Sequence, residues 1–168
     1  MDDRKKQLQE DRKQDMIKVG EFADNMKACV DNVIENMAKG NLKDAAAEEK
    51  KAMGYLYQIS HRQHGEELHR PVKTTKLDQK RIATLTSIAH DLYDKSAKAV
   101  AGGDTIAANK LMYFSKLTSV VNLVVVQKKE LSDQMICNYM GIKREELKKL
   151  SALGITKPDF VPQQGNSR

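Results

Sequence analysis

Tryptophan is absent from the 168 residues, and only three phenylalanines and five tyrosines supply aromatic rings. A core made from this chain therefore rests on aliphatic and methionine side chains. Three prolines and nine glycines are too few for a chain of many short strands and tight turns, which excludes an all-β fold and any collagen-like chain. Two cysteines, Cys29 and Cys137, are too few for a disulfide scaffold. Each has apolar neighbours, so two reduced thiols packed as small hydrophobes are expected. No run approaches the roughly 20 apolar residues of a membrane span; the longest is Leu123-Val124-Val125-Val126. The opening residues, Met1 to Gln7, have no apolar segment behind their basic cluster, so no secretory leader is expected and the expected location is cytoplasmic.

What the chain does have is charge and helical period. Charged residues are 31% of the sequence and the hydrophobic set is 40%, rich in Ala, Leu, Met and Val. Val19, Ala23, Met26, Val30, Val33 and Met37 follow one another at alternate steps of four and three, the stripe of an amphipathic helix. The charged stretch before Met16 is helical by propensity, yet it has only Leu8 to bury. Gly40-Asn41 ends this helix, and Asn41 is placed to cap a second one carrying Leu42, Ala45, Met53, Leu56 and Ile59. The second helix fades near His64-Gly65, and Pro71 bars helix through the connection. Thr74 or Thr75 can cap a third helix bearing Ile82, Leu85, Ala89, Leu92, Ser96 and Ala99, stopped by Gly102-Gly103. Asp104 or Thr105 then caps a fourth. Its stripe runs through Phe114, Leu117, Val121, Val124, Lys128, Leu131 and Met135, and it is expected to stay helical through the valines of Val120 to Val126. A short fifth helix after Gly141 carries Ile142, Leu147, Leu150 and Leu153, closed by Gly154-Ile155.

The expected fold is therefore all-α: an antiparallel four-helix bundle of two helical hairpins, with a short C-terminal helix and an extended tail. Residues 1–156 form the domain and 157–168 the tail, flexible or docked on a partner. The first helix, at about 35 residues and roughly 50 Å, outreaches the second, at about 25. Its overhang must pack in cis, pair with another copy, or stay in solvent. Two turns echo one another: the stretch from Met37 can be laid on the stretch from Val100, each reading helix, Gly-(Asn/Asp), helix. A shared turn explains this without a duplication. Gly40, Ala45 and Ala52, within Gly40 to Met53, fall at small-residue positions in a way that resembles the second half of a tetratricopeptide unit. The resemblance implies similar hairpin packing, and it stops there. Cys29, Asn32, Val33 and Asn36 occupy that family's aromatic and Leu-Gly positions, and no 34-residue period recurs.

Few constellations carry chemistry. His61, His64 and His69, with Glu66 and Glu67 between them, are the candidate metal ligands, although their spacing matches no common zinc pattern. Glu66-x-x-His69 is half of a di-iron motif without its second copy. No nucleophile elbow, phosphate-binding glycine loop or His-Glu-x-x-His motif is present, so neither enzymatic activity nor a cofactor or small-molecule substrate is expected. Charge is more telling. Residues 1–69 carry 12 basic against 14 acidic residues, and residues 70–168 carry 17 against 9. On an antiparallel bundle Arg70, Lys73, Lys76, Lys80 and Arg81 meet Lys128 and Lys129 at one pole, a surface suited to DNA or RNA phosphates. No helix-turn-helix, zinc-finger or RNA-recognition signature accompanies that pole, nor do interleaved aromatics. Most methionines lie on or beside apolar stripes and read as core filling. The favoured function is a non-enzymatic helical interaction module, a subunit or accessory factor with a protein partner or a second copy of itself. The first alternative is a nucleic-acid-binding accessory protein without sequence specificity. The second is a metal-binding helical protein.

Overall fold

The protein is seen here as a computed structural model that describes residues 2–61 and 76–158. Six α-helices occur in order: α1 (Asp2–Ala38), α2 (Leu42–Ser60), α3 (Lys76–Ala101), α4 (Thr105–Val121), α5 (Asp133–Met140) and α6 (Arg144–Ala152). A π-helical turn, Asn122–Val126, continues α4. Among the described residues all regular structure is helical, and the helices pack as a bundle. No described helix is long and apolar enough to cross a membrane.

The stripe on α1 becomes its buried face. Val19, Ala23, Met26, Val30 and Val33 join one core with Ala52, Leu56 and Ile59 of α2, Leu85, Ile88 and Leu92 of α3, and Phe114 and Leu117 of α4. The two partners in each hairpin run in opposite directions. In the first, Phe22 lies beside Tyr55 at 6.1 Å between ring centres, and Asn32 Nδ2 donates to Glu48 at 3.0 Å. In the second, small residues let the backbones approach closely. Ser96 Oγ donates to the Ala108 carbonyl at 2.8 Å and Ser115 Oγ to the Ala89 carbonyl at 2.7 Å, both buried. Asn122 Nδ2 reaches Thr86 Oγ1 at 3.1 Å, which ties the end of α4 to the N-terminal half of α3.

The two hairpin turns share one geometry. Gly40 and Gly103 take φ of 77° and 78°, a left-handed conformation that glycine adopts without Cβ strain. The next amide closes each turn at 2.8 Å, from Asn41 to the Asn36 carbonyl and from Asp104 to the Ala99 carbonyl. The caps differ. Asp104 accepts from the Ala107 amide at 3.1 Å, whereas Asn41 holds the cap position with no side-chain bond. The hairpins lie with α1 beside α3 in the same direction. Lys27 pairs with Asp91 at 3.5 Å and Lys95 with Asp31 at 3.3 Å, both across 64 residues of sequence. Lys110 on α4 likewise reaches Glu49 on α2 at 3.0 Å.

Helix α1 runs 37 residues from Asp2, in keeping with the expected length of about 35; its described side chains from Asp3 to Gln14 are exposed, and Val19 is the first described one to be buried. Two boundaries differ from the sequence expectation. Helix α2 stops at Ser60, because His61 is extended, with φ −90° and ψ 147°. The fourth helix does not run to Met135. It widens to a π turn through the valines, Lys128 takes φ 56°, and the Lys129 amide closes the end on the Leu123 carbonyl at 2.9 Å. A helix cannot pass a left-handed residue, so the apparent stripe through Leu131 and Met135 belongs to a new element, and Met135 is 57% exposed. Both cysteines are buried in the core, where burial pushes the Cys29 thiol up, with Glu48 adding to the shift.

A lysine in the left-handed well carries strain that glycine lacks. Lys128→Gly is expected to raise stability by up to about 1 kcal/mol, and Gly103→Ala to lower it by about 1–2 kcal/mol. Urea midpoints of the two variants check both signs.

Candidate nucleic-acid interface

The described members of the proposed basic pole divide into two kinds. Lys76 and Lys80 sit in the first turns of α3, and Lys128 and Lys129 follow the end of α4, which Asn122 holds against the N-terminal half of α3. Arg81 is different: it is 1% exposed, and its Nη1 donates to Asp78 Oδ1 at 2.8 Å, a partner that is itself buried. The guanidinium turns inward because a carboxylate stands three residues before it on the same helix face. Arg81 is therefore removed from the phosphate-facing set and becomes part of the α3 interior. Arg70 and Lys73 lie outside the described residues. Removing one partner of a buried ion pair leaves the other charge less compensated. Asp78→Ala is thus expected to destabilise far more than Lys76→Ala, which costs less than about 0.5 kcal/mol on the surface. Chemical denaturation of the two variants measures the contrast.

Of the histidines proposed as metal ligands, His64 and His69 lie outside the described residues. His61 is buried and stacks on Tyr57 at 4.0 Å between ring centres. Its Nε2 lies 3.1 Å from the Lys157 carbonyl oxygen, and its Nδ1 lies 3.1 Å from Ser60 Oγ and 3.3 Å from the Tyr57 carbonyl oxygen. Both ring nitrogens are occupied, which makes His61 a tie between the end of α2 and the segment after α6 rather than an open ligand. Among the described residues no three His, Cys, Asp or Glu side chains gather as a metal-holding group.

The sequence reading missed the unit formed by α5 and α6. Ser132 caps α5 by accepting from the Met135 amide at 3.1 Å. At its other end Gly141 takes φ 69°, and the amides of Gly141 and Ile142 both donate to the Cys137 carbonyl, at 2.8 and 3.1 Å. Lys143 is extended, and α6 begins at once. Two short helices joined by a three-residue glycine turn have the connectivity of a helix-turn-helix. Ile136, Cys137 and Met140 bury the inner side of α5; Leu147 and Leu150 bury that of α6. The unit rests on α4, with Lys116 over the Tyr139 ring at 5.4 Å. The clue in the sequence was the set of apolar positions on both sides of Gly141. It was divided between the tail of a fourth helix and a separate fifth.

The outward side of this unit is largely polar, with Met135, Tyr139 and Leu153 exposed among the polar groups. Lys143, Arg144, Glu145, Glu146, Lys148 and Lys149 are exposed, four of them basic and two acidic. Arg144 Nη2 donates to Gln134 Oε1 at 3.2 Å, and Gln134 Nε2 donates to Asn138 Oδ1 at 2.8 Å, so a row of amide and guanidinium groups spans the two helices. A shallow concavity of about 320 Å³ lies beside this row, lined by Asp133, Arg144, Lys148, Ser151 and Lys157 among others. From Gln127 to Lys157 the chain carries seven basic and four acidic residues. One of the acids, the exposed Glu146, also acts on Tyr113 of α4. Burial first, then Glu49 and Glu146, pushes the Tyr113 phenol up to about 12. Between its ordinary value of 10 and about 12 the unfolded chain ionises Tyr113 while the folded chain keeps it neutral. Stability from this group is therefore complete below pH 10 and declines as pH rises through that window. Alkaline denaturation followed by tyrosinate absorbance should show that decline, and Tyr113→Phe should remove it.

No family model, no curated protein and no solved structure matches this chain, so what it does must be argued from its own residues.

Proposed function

We propose that the protein binds nucleic acid without catalysing a reaction, and that the α5–α6 unit makes the contact. One observation carries this reading: the unit fixes its inner side on the bundle and turns Lys143, Arg144, Lys148 and Lys149 to solvent. Cations held on a rigid short helix neutralise phosphates at little ordering cost and release condensed counterions. Helices α1 to α4 then serve as the scaffold, read here as an antiparallel four-helix bundle of two hairpins. Lys76, Lys80, Lys128 and Lys129 form a second basic region at the pole where α3 begins. A cytoplasmic accessory protein with two buried thiols fits this assignment.

A second reading is supported by exposed apolar side chains. Leu42, Val100 and Ile106, each at least 60% exposed, flank the two hairpin turns, and the overhang of α1 offers a further helical surface. These favour an interaction module that joins a protein partner or a second copy.

Fluorescence anisotropy with labelled duplex and single-stranded oligonucleotides separates the two. Four phosphate contacts give a log–log salt slope of roughly −3 to −4, about a 100-fold loss of affinity between about 50 and 200 mM salt. Lys148→Glu with Lys149→Glu is expected to weaken binding at least about 10-fold at the lower salt while leaving the melting temperature unchanged. Absence of binding at low salt removes the nucleic-acid reading and leaves the interaction module.

A further inference from the structure

We infer that α6 enters the major groove of B-form DNA and reads base edges there, with Arg144 as the principal reading side chain. This rests on the proposed nucleic-acid binding and adds a duplex partner and a sequence preference to it. The first argument is shape. An α-helix with its side chains is about 10–12 Å across and a B-DNA major groove about 12 Å wide, whereas the deep, narrow major groove of duplex RNA admits no helix. Helix α6 is the second helix of its unit, the one that docks in the groove in this connectivity, and its solvent side is free of bulky apolar groups.

The second argument is chemistry. Base edges are read by bidentate donors and acceptors: Arg on guanine, Asn or Gln on adenine, Glu on cytosine. The exposed seam between α5 and α6 carries the first two types side by side, as Gln134, Asn138 and Arg144, and the exposed Glu145 follows Arg144 on α6. Gln134 already holds Arg144 by the 3.2 Å bond, which fixes the guanidinium near the N-terminus of α6, the end that meets base edges when such a helix docks. The lysines Lys148 and Lys149 lie one turn further on, placed to meet flanking phosphates. The third argument is charge. The exposed carboxylate pair Glu145–Glu146 on α6 is hard to reconcile with a surface built for phosphates alone, because it repels them. It fits a surface that distinguishes bases.

The test uses the full chain and a pool of duplexes with a randomised centre of roughly 20 base pairs, two turns of B-DNA. Bound duplexes are recovered at about 150 mM salt through several rounds and sequenced, and the enriched duplex is compared with its scrambled version by anisotropy. The expected result is one enriched motif bound at least about 100-fold more tightly than the scrambled duplex. Arg144→Ala should reduce that ratio at least about 10-fold, weakening the enriched duplex far more than the scrambled one, while Lys149→Ala should weaken both duplexes alike. Arg144→Lys should not restore the preference, since an ammonium cannot make the bidentate contact. Melting temperatures of all three variants confirm that these exposed positions leave the fold intact. Binding without enrichment overturns this inference and leaves the proposed function standing. Tighter binding to single-stranded or duplex RNA of the same sequence overturns it too. Failure to bind any nucleic acid at low salt removes both.

Discussion

Helix α4 is registered against α3 by side chains that reach the opposite backbone. The Ser96 and Ser115 hydroxyls each find a carbonyl across the interface, and Asn122 finds Thr86 beyond them. Such bonds demand a close approach and tolerate no slip, because a shifted serine would leave a buried hydroxyl and a buried carbonyl at odds. Everything C-terminal depends on that register. It fixes where the valine-rich end of α4 lies, where the chain turns at Lys128, and which flank of α4 receives Ile136, Cys137, Met140, Leu147 and Leu150. The last two helices are short and could not hold a shape alone. They owe their order to a surface whose position is set by two serines and an asparagine.

Much of this was legible in the sequence. The stripes on α1, α2 and α3, the two glycine turns and the cap at Asp104 each follow from a local rule. The end of α4 was not legible, because its period runs on through Lys128, Leu131 and Met135 as if no break existed. What ends the helix is a backbone conformation at Lys128, and lysine gives no sign of adopting it. The basic pole was legible as composition only. Arg81 counts as a surface cation until Asp78 is seen beside it in the interior, although the three-residue spacing was there to be read. The α5–α6 unit was hidden for a further reason. Its apolar positions are few, and its sense comes from a turn geometry at Gly141 that joins two weak patterns into one.

The long helices and the α5–α6 unit are built differently. The long helices bury nearly continuous apolar stripes, and their surface ion pairs, such as Lys27–Asp91 and Lys95–Asp31, contribute little individually. The α5–α6 unit anchors itself with Ile136, Cys137, Met140, Leu147 and Leu150, and its remaining surface mixes polar groups with the exposed Met135, Tyr139 and Leu153. Near the hairpin turns Leu42, Val100 and Ile106 remain exposed.

The π turn at Asn122–Val126 sets an angle as well as a path. One residue more or less in a helix rotates everything after it by about 100° about the axis. The wider turn thus works as a built-in phase correction, seating Val124 and Val125 in the core while the chain leaves α4 in the direction that α5 requires. A single-residue deletion within this segment would leave the composition, the charge and every helix propensity almost untouched. It would turn α5 and α6 toward a different side of the bundle. In this protein the direction in which the last two helices leave α4 depends on the length of that segment as well as on Asn122, its first residue.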